Sequence, residues 1–454
     1  MTRNRNGRIT RRQVLKTIGA AGIFCSFPSI VPASVFGKNA PSNRINVGMI
    51  GIGRQTDYSN LPAFLNSDET RVVAVCDVDT WRLDIAKKKT DQFYNNNDCK
   101  AYTDWREIIE RDDIDAVMIS TTDQWHVPMS LEAARARKHI CCEKPLSLSV
   151  AEGRILADVV KNHGVVFRTD TECRTNSYMN KTARLVLNGY IGNVKRIEVG
   201  VPDTDNIERE GDPTPTPVPK ELDYEMWVGP APMKPYCVDR VHPQRTFGSS
   251  DDLSTRPGWL RCRGIGLGVI GTWGAHLLDV AQLCNDTERS GPISVEGNGE
   301  YPKSKTALWD VLKRFNIHYE YADGVTLDFK TDRDAYLRVE GDEGWIFVQY
   351  TGKARIQAHN ESILRLKFKD SDKPVIQRED KDDFIYAIKN NCNTMVDAEV
   401  GHRTISLSHI GQIAIQRGKK LSWNPHTEQF TDDEQANEML HIPYRKPWDR
   451  IIRL

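Results

Sequence analysis

From Arg44 onward, short apolar runs alternate with longer stretches whose apolar positions recur every three to four residues. Residues 45–50 read as a strand, and Gly51 and Gly53 follow directly. Residues 71–76 read as a second strand that ends at Asp77. The pattern then predicts helices over 81–92 and 104–109, a strand over 116–120 and a helix over 128–137. A strand over 139–142, a helix over 150–162 and a strand from 165 to 168 close the run. Strands alternating with helices at this spacing predict βαβ units and a parallel sheet.

Beyond residue 172 the texture changes. Residues 202–219 hold five prolines, Pro202, Pro213, Pro215, Pro217 and Pro219, and read as a linker-like loop. Strand-like runs follow at 293–296, 315–321, 325–329 and 345–350. The expected fold class is α/β: an N-terminal Rossmann dinucleotide-binding domain over 44–171, then a C-terminal substrate and oligomerisation domain over 172–454 with an open, mainly antiparallel sheet. A sheet with one bare face suits self-association, so a homo-oligomer, dimer or tetramer, is expected.

Composition narrows the class. The chain has 454 residues, 39% hydrophobic and 27% charged, with a mean hydropathy of -0.53. That excludes a disordered chain and a multi-span membrane protein. Its 62 basic and 62 acidic side chains are unevenly spread. Residues 1–43 carry Arg3, Arg5, Arg8, Arg11, Arg12, Lys16 and Lys38 and no acid, which leaves the remainder mildly acidic. A nucleic-acid partner calls for a basic domain, so none is expected. Thr10-Arg11-Arg12-Gln13-Val14-Leu15-Lys16, followed by an apolar, Gly- and Ala-rich stretch from 18 to 35, resembles a twin-arginine export signal. Residues 1–37 are expected to address the folded protein, through the twin-arginine machinery, to the periplasm or beyond. A basic tail ahead of a short buried helix is the plainer alternative. Ten cysteines include Cys25 in that segment and no C-x-x-C. Neither a zinc site nor a disulfide framework is indicated, and Cys141-Cys142, in an apolar run, read as buried thiols.

The chemistry begins at the ends of the strands, where such sheets bind ligands. Glycine at 51 and 53 permits a tight turn and lets a pyrophosphate approach a helix N-terminus; Thr56 stands where G-x-G-x-x-G has its third glycine. Asp77 offers a carboxylate to an adenosine ribose, which favours NAD over NADP because it repels a 2′-phosphate. Taken alone, an ordinary strand–turn–helix explains the glycines equally well. Lys144 follows the strand at 139–142 in Glu143-Lys144-Pro145, where its ammonium can bond a substrate hydroxyl. A surface turn stopped by Pro145 is the plain alternative.

The ordered set changes that balance. Gly51-Ile52-Gly53, Asp77, Thr121-Thr122 with His126, and Glu143-Lys144-Pro145 occur in sequence, with Gly271-Thr272-Trp273-Gly274-Ala275-His276 further on. From about Arg44 to its end the chain resembles the glucose–fructose oxidoreductase / inositol dehydrogenase / MocA (Gfo/Idh/MocA) family, in its exported branch. The resemblance implies that Gly51, Ile52 and Gly53 line the cofactor pyrophosphate and that Asp77 holds the ribose. It implies that Thr121, Thr122, His126 and Glu143 border the nicotinamide half, and that Lys144 is the catalytic lysine, also at the cofactor. The family's D-x-x-x-H motif puts His276 opposite, as a second catalytic group, but with Thr272 in place of the aspartate. A satisfied core histidine is the alternative for His276, and Asp279, one turn on, either orients it or packs. Arg174, Tyr236, His242 and Trp259 read first as packing. The implied activity is that of an NAD(P)-dependent oxidoreductase on a hydroxyl of a carbohydrate, polyol or glycoside. A redox-neutral NAD-dependent glycoside hydrolase or lyase is the alternative, and Thr272 leaves open a catalytically altered cofactor-binding protein.

Overall fold

A computed structural model describes residues 43–203, 210–244, 253, 255–351 and 353–452. The export signal expected over 1–37 lies outside the described residues.

The first sheet holds β1 (Ile45–Ile50), β2 (Thr70–Cys76), β3 (Lys100–Tyr102), β4 (Ala116–Ile119), β5 (His139–Glu143) and β6 (Phe167–Asp170). Their order is β3-β2-β1-β4-β5-β6, and every neighbouring pair is parallel. This is the expected dinucleotide-binding topology, with the order reversing beside β1. The period-two alternation of these strands feeds two cores. Val47, Met49, Ala116, Met118 and Cys141 enter one, while Ile50, Val117, Ile119, Ile140 and Cys142 enter the other. Cys141 and Cys142 are therefore buried on opposite faces, and burial pushes both thiols up. All nine described cysteines are free, and Cys392 is the exposed one.

The helices follow from their caps. Asp79 accepts from the Trp81 N–H at the start of Thr80–Tyr94, and Asp104 does the same for Arg106 before Trp105–Ile109. Ser149 and Glu152 form a reciprocal capping box on Val150–His163. The helix implied after the glycine turn is made of the segments Thr56–Asn60 and Leu61–Asn66, and its bounds were not marked in the sequence because residues 54–60 are polar and carry no apolar period.

The second sheet has nine strands: β7 (Val194–Pro202), β8 (Ser294–Glu300), β9 (Arg314–Glu320), β10 (Thr326–Asp332), β11 (Tyr336–Gly341), β12 (Trp345–Gln349), β13 (Arg355–Ala358), β14 (Leu421–Asn424) and β15 (Gln429–Phe430). Their order is β13-β12-β11-β7-β10-β9-β8-β14-β15, antiparallel except where β7 meets β10. Pro202 is the last residue of β7 rather than part of the loop that follows. One face carries Val199, Ile317, Tyr319, Leu327, Phe329, Leu337 and Val348 into a large core shared with the helices Ser177–Leu187, Gly274–Cys284 and Ala398–Arg417. The other face is polar, with Arg196 donating to Asp328 at 2.7 Å and His318 2.7 Å from the same carboxylate.

Late segments return to the first sheet. Phe384, Ile385 and Ala387, on the helix Asp380–Asn390, share a core with Val47 and Met49. The edge strand β6 is covered: Thr169 N donates to Val396 O at 2.8 Å, and the Thr394 hydroxyl donates to Phe167 O at 2.6 Å. No helix among the described residues is long and apolar enough to cross a membrane.

Candidate active site

The carboxyl ends of β1, β2, β4 and β5 open on one cavity of about 450 Å³. It is lined by Gly51, Ile52, Gly53, Asp77, Thr121, Thr122, His126, Glu143 and Lys144 from the first sheet, and by Thr272, Trp273, His276 and Tyr350 from the second half of the chain. Every residue singled out in the sequence as a candidate thus meets one space.

The turn after β1 is built for close approach. Gly51 has φ +89, and a Cβ there would lie 2.7 Å from the carbonyl carbon and oxygen of Ser120. Its N–H donates to Cys76 O at 2.9 Å, and the buried Thr56 hydroxyl donates to Gly51 O at 2.7 Å. Thr56 therefore secures the turn from the slot where a third glycine would stand. Gly53 differs: a Cβ there meets nothing within 4 Å, so the backbone borders open space of the kind a phosphate needs. The Asp77 carboxylate accepts from Ile52 N at 2.6 Å and from Asp79 N at 2.9 Å. A carboxylate has about four lone-pair sites, so acceptor capacity remains for ribose hydroxyls. Burial, and then the Asp79 charge, raise its pKa to about 7 against the pull of Arg82 and the two N–H donors.

The turn after β2 is clamped by the second half of the chain. Asp79 Oδ2 lies 2.6 Å from His242 Nε2, and His242 Nδ1 lies 2.8 Å from the Tyr236 hydroxyl. Thr80 N donates to Glu221 O and Asp223 N to Val78 O, both at 2.9 Å. Leu222, Trp227, His242 and Trp259 extend the wall of the same cavity beside Asp77. His242 and Trp259, which read first as packing, line it, and Tyr236 backs His242.

At the other end, the peptide bond between Lys144 and Pro145 is cis. His126 ties two turns together, with Nδ1 donating to Pro145 O at 2.7 Å and Nε2 3.3 Å from Thr121 O. Burial lowers its pKa to about 4, so the ring is neutral. Glu143 accepts from Asn60 Nδ2 at 2.9 Å, and Asn60 also donates to Ser120 Oγ. His276 Nδ1 lies 2.9 Å from Thr171 Oγ1, its ring packs edge-on to Trp273, and Nε2 has no protein partner among the described residues. Burial, then the Lys144 charge, lower its pKa to about 3. Asp279 does not orient this histidine: it takes Arg174 in a buried two-point pair at 2.7 and 2.6 Å. Arg174 is accordingly structural. Thr272, where an aspartate was anticipated, donates its hydroxyl to Gly268 O at 2.9 Å.

Sequence reasoning missed Asn60, Asp123, Thr171 and Glu172. Thr171 follows β6 directly, so its position at a strand end was the available signal. The other three belong to irregular or unmarked helical segments and carried none. Among the described residues no cluster of His, Cys, Asp and Glu could hold a metal ion.

Comparison with known proteins agrees with this layout. Residues 45–171 match a family model described as an oxidoreductase family NAD-binding Rossmann fold. Residues 206–450 match the model of an oxidoreductase family C-terminal alpha/beta domain. An alpha-N-acetylgalactosaminidase of Shewanella oneidensis is 31% identical over 194 residues, 38% of this chain and 40% of that protein. The match thus spans well under half of that relative's length. The solved aldose-aldose oxidoreductase of Caulobacter crescentus, complexed with glycerol, superposes with a TM-score of 0.60 at 17% identity, covering 84% of this chain and 99% of that one. The WlbA dehydrogenase of Bordetella pertussis, in complex with NADH and UDP-GlcNAcA, gives 0.61 at 14% identity, covering 84% and 98%. At these identities the structural likeness is one of fold.

Proposed function

This chain belongs to the Gfo/Idh/MocA oxidoreductase family, and from that premise we propose that it is an NAD-dependent enzyme acting on a hydroxyl of a sugar, polyol or glycoside. The observation that carries the reading is the single cavity that joins the Gly51–Gly53 turn and Asp77 to Lys144 and His276. The open space at Gly53 fits a pyrophosphate, and the spare acceptor capacity of Asp77 fits ribose hydroxyls and favours NAD over NADP. When bound, the cofactor supplies a hydride acceptor at its nicotinamide ring.

Lys144 binds the substrate hydroxyl oxygen and draws off its proton as the neighbouring C–H gives up hydride. His276, neutral and held through Nδ1 by Thr171, presents Nε2 to a second polar atom of the substrate and orients it. Trp273 and Tyr350, in edge-to-face contact, give the cavity an aromatic wall suited to the apolar face of a sugar ring.

The alpha-N-acetylgalactosaminidase relative favours a second reading. Here the same site oxidises a glycoside transiently, lets the glycosidic bond break, and returns the hydride. We further propose export through the twin-arginine route and assembly as a homo-oligomer. An exported enzyme works away from the cytoplasmic cofactor pool, which suits a tightly held NAD. The test is to purify the full chain, denature it and assay the released nicotinamide, then to offer the intact protein aldoses, polyols and nitrophenyl glycosides. Net NADH formation supports the dehydrogenase, and glycoside cleavage without it supports the redox-neutral cycle. Absence of nicotinamide, together with no thermal stabilisation by added NAD, refutes both.

A further inference from the structure

Oxidising a hydroxyl needs a group that takes its proton, and the surroundings of Lys144 narrow the choice. Three carboxyls, Asp123, Glu143 and Glu172, and two imidazoles, His126 and His276, line the same cavity. Burial makes both imidazoles poor bases, with pKa values of about 4 and about 3. The Thr272 hydroxyl is committed to Gly268 O and is no base at neutral pH. Glu143 gives one oxygen to Asn60 and the other to the Lys144 N–H, and Glu172 accepts from Gln55.

Asp123 is different. It opens the short helical turn Asp123–Trp125 just beyond β4 and lines the cavity. Its side chain is 2% exposed, yet Oδ2 has no hydrogen-bond partner among the described residues. Unpaired buried oxygens are rare in folded proteins and call for an explanation. Burial is the largest influence on this carboxyl and pushes it well above the usual carboxylate range. Lys144 and the Leu267 backbone N–H pull the other way, and Glu143 reinforces the rise. Leu267 lies just ahead of the helix Val269–Thr272, so this N–H ties the carboxyl to the segment that leads into Thr272.

We infer that Asp123 is the proton store of the site, a positioning residue that acts through Lys144. This rests on the oxidoreductase reading. On oxidation the C–H bond breaks and its electron pair leaves with the hydrogen for the cofactor. The O–H bond breaks, its proton passes to Lys144, and Lys144 hands one proton to Asp123. Alcohol and carboxylate become carbonyl and carboxylic acid, and the reverse step returns both.

The test is an infrared pH titration of the full chain loaded with NAD, with aspartate carboxyls carbon-13 labelled. A buried carboxylic-acid band should grow in as pH is lowered through the Asp123 midpoint and vanish in Asp123→Asn, and hydride transfer, which needs the ionised carboxylate, should fall as the band grows. The midpoint should move up by about one pH unit or more, a tenfold change in proton affinity, in Lys144→Met, which removes the stabilising cation. Should Asp123→Asn not fold, Asp123→Glu assigns the band by shifting it. With the first alcohol found to reduce bound NAD, Asp123→Asn should slow hydride transfer about 10²-fold or more. Adding Thr272→Asp should recover part of that loss. A band indifferent to Asp123 or to Lys144, or an Asp123→Asn variant as fast as wild type, overturns the inference. The titration needs no substrate, so its failure leaves the oxidoreductase reading standing. Failure to bind any nicotinamide would sink that reading and this inference with it.

Discussion

Gly51 and Gly53 sit two residues apart in one turn, and substituting each by alanine should produce opposite phenotypes. At Gly51 the backbone has φ +89, where an L-residue pays about 1–2 kcal/mol. The new Cβ would also lie 2.7 Å from the Ser120 carbonyl and 2.8 Å from Thr121 Cγ2. A backbone carbonyl cannot swing aside as a side-chain tip can, so overpacking adds about 1–3 kcal/mol. Gly51→Ala should therefore lose about 2–5 kcal/mol of folding stability. At Gly53 the added methyl meets nothing within 4 Å. Folding should be unchanged or gain a few tenths of a kcal/mol up to about 1, from the less flexible unfolded chain. The same methyl occupies the space assigned to the pyrophosphate, so NAD affinity should fall tenfold or more, a cost of about 1.4 kcal/mol. Urea unfolding without cofactor and calorimetric NAD titration separate the two effects. If Gly53→Ala binds NAD as well as wild type, the open space beside Gly53 is not where the cofactor lies and the assignment of this turn fails.

Other expectations follow from the same geometry. Thr171→Val removes the partner of His276 Nδ1 and should cut turnover about tenfold to a hundredfold while bound NAD is retained, read by single-turnover absorbance and cofactor content. Asp279→Ala removes the two-point partner of the buried Arg174 guanidinium and leaves it Glu288 at 3.2 Å and Met395 O at 2.8 Å, so it should cost about 1–3 kcal/mol in urea unfolding; no measurable loss contradicts the pairing. Asp77 carries a pKa raised from 3.8 to about 7. In the cofactor-free protein its contribution to stability is thus lost as pH rises from 3.8 through about 7, and Asp77→Asn should abolish that slope. NAD, whose ribose hydroxyls favour the charged carboxylate, should bind more tightly as pH passes about 7, and titrations at several pH values read this directly. Replacing Arg11 and Arg12 by lysine should hold the precursor in the cytoplasm, checked by fractionation, because export of this kind depends on the guanidinium pair.

The first sheet was legible because its strands are buried on both faces and its helices carry caps. Runs such as 116–119 and 140–142 are continuously apolar, and Asp104 and Ser149 mark helix starts by chemistry as well as position. β3 was not, since Lys100 and Ala101 are exposed and its three residues show no period. In the second sheet β9 and β10 alternate clearly, and β7 and β11 carry the same alternation, with Arg196, Glu198, Arg338 and Glu340 outward against Ile197, Val199, Leu337 and Val339 inward, so their signal was present in the sequence and went unread. The site divided in the same way. Residues at the ends of β1, β2, β4 and β5 were found by counting to the strand's end, and Thr171 after β6 was missed although it offered the same signal. Residues whose role depends on a partner far away in the chain were not found, and spacing on the helix pointed Asp279 toward His276 when the true partner, Arg174, lies 105 positions earlier.

The return of the helix Asp380–Asn390 to the first sheet sets an order for events during synthesis. Val47 and Met49 leave the ribosome early, but the apolar residues that complete their core, Phe384 and Ile385, are translated more than three hundred residues later. At about 5–20 residues per second, that interval is on the order of tens of seconds. Through it, one face of the nascent parallel sheet is incomplete and the edge strand β6 lacks the segment that covers it. Such surface favours aggregation until Phe384 and Ile385 arrive, and the cofactor site, whose lining runs as far as Tyr350, is complete only when most of the chain has been made.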